Sequence, residues 1–343
     1  MLQTNWLRVL PWRALGRGRR TSEQVGVYRT STGLIAARVR LDGDDGCSVE
    51  QLETADLKNQ RDEAAVGQLA RSGILSRAPV ILVLGPEHYN TYPLAAPSVP
   101  SAEMRDALRW KLRDVLPYAP EDAVIEFVRL AHATDSNAAE SLLAVAAQRR
   151  LVAQASAPFL AAGADVQAVD IAEMAQRNLL IRLPGAEEGR ALLGLDESSA
   201  LLTVVHQGAL CLARRIQIPP SLGTEDEDPE HVATRIATQV QRSLEVVERQ
   251  SGLAPVRTVW IGPHPYCALI ARCTAEQTGL ECLQLDLQQE LGFAATVAEL
   301  PPEQACGAPI AIGAALRSEH PAAVNRTARE SSALSWLSKL KAA

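Results

Sequence analysis

The apolar positions from Leu192 to Ile218 fall into three runs, separated by turn signals at Asp196 to Ser199 and at Gln207-Gly208. That pattern predicts a three-stranded antiparallel meander. The same layout recurs from Val25 to Leu52, with turns at Thr30 to Gly33 and at Asp42 to Gly46. The chain therefore reads as two related halves. Laying Gly26-Val27-Tyr28 over Gly194-Leu195-Asp196 sets a tyrosine where the second half carries its carboxylate.

Between and after the meanders the period changes. Thr54 to Arg71 has helical spacing through Leu57, Ala64 and Leu69, and Pro79 to Leu84 is a short buried strand. Proline-rich Tyr89 to Pro100 reads as a loop. Ser101 to Leu116 predicts a helix with Met104, Leu108, Leu112 and Val115 on one face, closed by Pro117. Strands follow at Val124 to Leu130 and Leu142 to Ala147, then a helix from Arg149 to Ala162 with Pro158 inside it, a strand from Asp165 to Asp170 and a helix from Ile171 to Arg182. Beyond the second meander, an acidic loop from Gly223 to Glu230 precedes a long amphipathic helix through Val232, Ile236, Val240, Leu244 and Val247. Val256 to Ile261 is a strand, Tyr266 to Thr278 a helix, Glu281 to Leu285 a strand, and Pro309 opens a last core helix. Meanders followed by alternating helices and strands make an α/β protein with mixed sheets.

Composition narrows the function classes. The chain has 343 residues, enough for two cored domains, and a net charge of -6, which gives no overall basic footprint for nucleic acid. Its six cysteines form no C-x-x-C pair and have no histidine at zinc-site spacing, so they read as buried free thiols in a reducing compartment. The six histidines are dispersed. P-loop, G-x-G-x-x-G and G-x-S-x-G motifs are absent. No apolar run reaches the ~20 residues of a membrane span, and no signal-peptide core is seen, which predicts a cytoplasmic protein.

The ends differ from the middle. Residues 1–24 set Trp6 and Trp12 beside Arg17, Arg19 and Arg20, a composition suited to an anionic membrane surface and equally to a plain basic tail. Residues 318–343 combine a polar linker with a weaker echo around Trp336.

Several of these stretches, in order, resemble the actin-like pilus assembly proteins of type IV pili, the PilM family, and among them the mannose-sensitive haemagglutinin relative MshI. The carriers are LRWKLRDVLPYAPEDAVIEFV from Leu108, LLAVAAQRRLV from Leu142, AGADVQAVDIAEMAQRNLL from Ala162, GLDESSALLTVV from Gly194 and AIGAALR from Ala311. The resemblance implies an actin-like, ribonuclease H-like two-domain α/β fold with duplicated mixed-sheet cores and a small subdomain inserted in the first half. The expected divisions are 25–97 for the start of the first domain, 98–190 for the insertion and the connection, and 191–317 for the second domain. It further implies a scaffold at the pilus base, cytoplasmic and peripheral at the inner membrane. Its partner would be the N-terminal cytoplasmic peptide of a bitopic inner-membrane protein like PilN or MshJ. One wall of the peptide groove is expected at Arg109, Trp110, Leu112 and Tyr118, although Leu108, Leu112 and Val115 serve equally well as core for the inserted sheet.

The same fold holds ATP and magnesium between two hairpins, with an acid near each turn. Here Tyr28, Arg29 and Thr30 stand where the first hairpin's acid and glycine belong. Asp196 remains in the second, Ser198 replaces a glycine, and Gly262 survives from the adenosine loop, followed by Pro263. Asp196, Ser198 and Gly262 are thus a degenerate nucleotide site, or Asp196 is a turn residue bonded to its own backbone. The expectation is no cofactor, or ATP with magnesium bound weakly, and no hydrolysis. The alternatives are an active actin-like or sugar-kinase-like ATPase and the cytoplasmic scaffold module of a type II secretion system.

Overall fold

A computed structural model describes residues 22–317 apart from 43–45, 58–61, 132–139, 185–188, 197–198, 219–227, 252, 254, 296 and 299. The first meander is β1 (Ser22–Arg29), β2 (Gly33–Asp42) and β3 (Gly46–Asp56), followed by α1 (Asp62–Arg71) and the buried strand β4 (Pro79–Val83). Next come β5 (Tyr89–Ala95), α2 (Met104–Leu112), β6 (Ala123–Arg129), β7 (Ser141–Gln148), α3 (Arg149–Ala161), β8 (Asp165–Asp170) and α4 (Ala172–Arg182). The second meander is β9 (Gly189–Leu195), β10 (Ser199–His206) and β11 (Ala209–Gln217), trailed by α5 (Pro229–Ser251), β12 (Val256–Ile261), α6 (Cys267–Thr278) and β13 (Glu281–Gln284). The chain closes through α7 (Leu287–Glu290), β14 (Gly292–Phe293), α8 (Pro302–Ala305) and α9 (Ala308–Ala315).

Two sheets share one topology. In the first the order is β14-β3-β2-β1-β4-β8, and in the second β11-β10-β9-β12-β13. Each core is therefore a meander whose first strand pairs in parallel with a fourth, and the fourth with a fifth. The duplication expected from the two meanders is present. Their turns follow residue chemistry: Gln207 and Gly208 both take positive φ, 48° and 75°, as a two-residue type I′ hairpin turn requires.

The inserted sheet has the order β5-β7-β6, covered by α2. It begins ahead of residue 98, where the expected stretch of insertion and connection starts. Tyr89 to Ala95 is a strand rather than a loop, because β5 lies at the edge of this sheet, where Pro93 is tolerated. At the other end, β8 pairs with β4 and returns the chain to the first sheet. The insertion thus runs from β5 to β7.

The two halves are joined by an exchange of helices. α4 follows the fifth strand of the first half yet packs on β9 and β10 of the second; α9 ends the second half yet packs on β1 and β2 of the first. Every residue of α9 is buried, which suits a helix that is apolar all round. Close approach is made possible by glycines. A Cβ on Gly26 would fall 1.9 Å from the Ala311 carbonyl oxygen of α9, and one on Gly194, the equivalent position in β9, 1.8 Å from Gln176 Nε2 of α4. Where α4 and α9 cross, a Cβ on Gly313 would lie 2.0 Å from the Ala175 carbonyl oxygen. Backbone cannot yield as a side chain can, so the crossing admits only glycine.

Gly313→Ala is accordingly expected to lower stability by about 2 kcal/mol or more, through overpacking. Gly67→Ala in α1, where the added carbon meets only the Arg71 side chain at 3.4 Å, should be neutral or gain up to about 1 kcal/mol. Urea midpoints of the two variants check this, and a Gly313→Ala protein as stable as the parent would refute the close crossing.

Candidate functional site

The ends of β1 and β9 face one another across the joint between the halves. Tyr28, near the end of β1, donates its hydroxyl to Asp196 Oδ2, just past the end of β9, at 3.4 Å. The two hairpins therefore do line one cleft, and a tyrosine ring fills it. Tyr28 is 1% exposed. Burial first, and then the Asp196 carboxylate, push its hydroxyl far above the ordinary tyrosine range.

Behind this pair lies a second buried cluster drawn from three elements. Tyr89, at the start of β5, donates to Glu173 Oε2 of α4 at 2.6 Å and accepts from the Ala172 amide at 3.3 Å. Arg215 of β11 donates to the Tyr89 hydroxyl, reaches Glu173 Oε1 at 3.2 Å, and sets its guanidinium 5.6 Å from the Tyr89 ring centre. Glu173 is wholly buried, so its carboxylate depends on these donors. Burial and then the Glu173 charge raise the Tyr89 hydroxyl well above its usual range. Burial opposes the charge on Arg215, but Tyr89, Glu173 and Tyr28 outweigh it and hold the guanidinium protonated. The cluster ties the inserted sheet, the exchanged helix and the second meander together at the cleft.

Several backbone donors at the two turns and after β12 are used within the protein. In the first turn, Thr30 Oγ1 accepts from the amides of Gly33 at 2.9 Å and Thr32 at 3.3 Å. The Gly262 amide donates to the Leu193 carbonyl at 2.9 Å, extending the β12–β9 ladder, and a Cβ there would sit 3.3 Å from that oxygen. The Asp196 amide bonds the Ser199 carbonyl at 2.8 Å. Ser198 lies outside the described residues. A triphosphate with magnesium between two such turns needs free amides, an acid near each turn and space between them. Here a threonine takes the amides, a tyrosine replaces the first acid, and hydrogen-bond contact closes the gap. The residues present do not fit that group. Among the described residues no three His, Cys, Asp or Glu side chains are grouped as metal ligands. Asp170, at the end of β8, is ion-paired to Arg317 and accepts from the Ile171 amide.

The second candidate surface is α2. Leu112 is 3% exposed and packs with Met104, Leu108 and Phe127 under the inserted sheet. It is core, and its place in a peptide groove is withdrawn. Val115, expected on that same face, is instead exposed, because the helix ends at Leu112 and the following turn swings it outward. Trp110 is 68% exposed, with Arg113 stacked 5.0 Å from its ring centre, and Arg109 pairs with Asp106 at 2.7 Å. Tyr118 is half-buried against the inserted core. Its hydroxyl is buried without a partner in the structure, and burial, then nearby Tyr92, push it up to about 12. Trp6, Trp12, Arg17, Arg19 and Arg20 lie outside the described residues.

Sequence reasoning pointed to Asp196 and to the Tyr28 mismatch but missed Tyr89, Glu173 and Arg215. Those three are far apart in the chain and share no motif. The one local signal was an acid, Glu173, in the first turn of α4, on the helix face that Ala172, Ala175, Gln176, Leu179 and Leu180 bury.

No protein-family model matches the chain, and no curated protein matches it. Among solved structures the chain is similar to a chain of the PilM-PilN type IV pilus biogenesis complex, at 16% identity over 89% of this chain and 100% of that one, with a TM-score of 0.64. It also resembles the cytoplasmic domain of EpsL, an inner-membrane component of the type II secretion system of Vibrio cholerae, at 15% identity over 89% and 99% of the two chains, TM-score 0.47. A Bacteroides thetaiotaomicron protein of actin-like ATPase fold and unknown function follows at 8% identity over 77% and 91%, TM-score 0.46. The fold is actin-like.

The buried tyrosines predict an alkaline limit to stability. Their folded pKa values lie above the ordinary value near 10, so above that pH the unfolded chain releases protons first and stability falls, while below it this contribution is intact. Each tyrosine adds a loss of about 1.4 kcal/mol per pH unit, and Tyr28→Phe should make the decline shallower by that amount. Urea titrations at stepped pH test it; parallel declines in parent and variant would show that Tyr28 ionises freely. Arg215→Met, which strands Glu173, is expected to cost about 3–5 kcal/mol in the same assay.

Proposed function

We propose that this chain is a cytoplasmic actin-like scaffold of type IV pilus assembly, of the mannose-sensitive haemagglutinin kind, and that it works by holding a partner rather than by turning over nucleotide. The observation that carries the proposal is the placement of exposed apolar surface. Among the described residues the large apolar side chains left exposed are Trp110 and Val115, both on the outer side of the inserted subdomain at the end of α2. An exposed tryptophan flanked by arginines is the composition of a protein-binding hot spot. The fold likeness to a chain of a complex named for PilM and PilN supports a PilN-like membrane protein as the partner. Its N-terminal cytoplasmic segment is the element that would reach Arg109, Trp110 and Tyr118.

The cleft supports the same account from the other side, since Tyr28 and Thr30 occupy what a nucleotide would use. No described helix is long and apolar enough to cross a membrane. Attachment at the inner membrane would come through the partner, helped by the basic tail around Trp6, Trp12, Arg17, Arg19 and Arg20.

Titrating the full chain with the N-terminal cytoplasmic peptide of a PilN-like protein tests the proposal. Trp110→Ala and Arg109→Glu should each weaken binding by about tenfold with the thermal midpoint nearly unchanged. Leu112→Ala should instead cost about 2–5 kcal/mol of stability. A peptide that binds equally well to the Trp110→Ala protein would remove α2 from the interface.

A further inference from the structure

The second sheet carries an open edge at β11. That strand has β10 on one side; on the other, among the described residues, the backbone bond is from the Ala131 amide to the Leu210 carbonyl, at the strand's beginning. Among the described residues no further strand pairs with Ala213 to Gln217 on that side. An uncovered strand edge is a template for a further strand unless charge or a covering element blunts it.

A groove of about 420 Å³ runs along this stretch, between β11 and α5. Four consecutive residues, Arg214 to Gln217, line it, so both faces of the strand contribute and the groove follows the edge itself. Beneath it Ile216 packs on Val232 and Ile236 of α5, all buried, which holds the groove's shape. Its rim is basic, from Arg214, Arg235 and Arg242, and among the described residues no acidic side chain lines it. Among the described residues Arg214 bonds only neutral groups, the Ser243 hydroxyl at 3.1 Å and the Gln239 amide oxygen at 3.2 Å. Arg242 has no hydrogen-bond or ion-pair partner among the described residues. On a chain of net charge -6, a groove lined by one sign of the opposite charge is built to receive acid.

We infer that this groove binds an extended acidic segment of a partner protein, added as a strand to the edge of β11. Alternation of side chains along such a strand sends every second residue toward α5, where carboxylates meet Arg214, Arg235 and Arg242. The uncovered length takes about five residues, roughly 17 Å of extended chain. Among the described residues no aromatic side chain lines the groove, which disfavours single-stranded nucleic acid, whose bases need stacking platforms. This surface is separate from α2, on the other half of the molecule.

The test uses fluorescence anisotropy of a dye-labelled peptide of alternating valine and glutamate, titrated with the full chain. Binding is expected to weaken with salt, to be lost when alternate peptide amides are N-methylated, and to drop about tenfold in Arg214→Glu and in Arg242→Glu at an unchanged thermal midpoint. Trp110→Ala should leave it intact, so that failure at either surface is distinguishable from failure at the other. The inference is overturned by absence of binding up to about 1 mM peptide, by equal binding of the N-methylated peptide, by arginine variants that bind as the parent does, or by an oligothymidylate or phosphatidylserine vesicles displacing the peptide with the same arginine dependence.

Discussion

Backbone contact between α4 and α9 is the constraint on which the remainder of this molecule depends. Each helix is contributed by one half and buried by the other, and they cross where Gly313 lies directly on the Ala175 carbonyl. Because no side chain intervenes, the two sheets have almost no freedom to slide or rotate at that point. Ile312 and Leu316, both almost completely buried, add about 1.5–3 kcal/mol each to holding the joint. The short strand β14 adds a second tie, carrying the chain of the second half back to the edge of β3.

From that fixed joint the state of the cleft follows. Gly26 and Gly194 let a helix lie against each first strand two residues before Tyr28 and Asp196, which brings those two side chains within a hydrogen bond of each other. A tyrosine in place of an acid then fills the gap, and the neutral hydroxyl is favoured because a buried phenolate beside a carboxylate would be costly. Glu173, Tyr89 and Arg215 extend the same contact to the inserted sheet. Together these contacts form a polar seam that joins three parts of the structure. In the function proposed above, recognition falls to the outside of the molecule, on α2 and along β11.

Much of this architecture was legible in the residues. The Gln207-Gly208 pair and the Thr30 to Gly33 turn announced the hairpins, and their repetition announced the duplicated sheets, since local turn chemistry and alternation act over a few residues. β5 was hidden because Pro93 and its neighbours read as a loop until β7 supplies the strand that pairs with them. Val115 was assigned to the buried face by periodicity that the helix does not sustain past Leu112. The Tyr89, Glu173 and Arg215 cluster was invisible because 126 residues separate its tyrosine from its arginine, and nothing local links them. The Tyr28 substitution showed that the cleft was altered, whereas its filling by the ring required the geometry.

Calorimetric titration of the full chain with magnesium ATP bears on this account most directly. A cleft closed by Tyr28 against Asp196 predicts no binding heat up to about 1 mM nucleotide, weaker than about −4 kcal/mol. Saturable binding in the micromolar range, lost on Asp196→Ala, would show that the hairpins part to admit a triphosphate and that the cleft is a working nucleotide site after all.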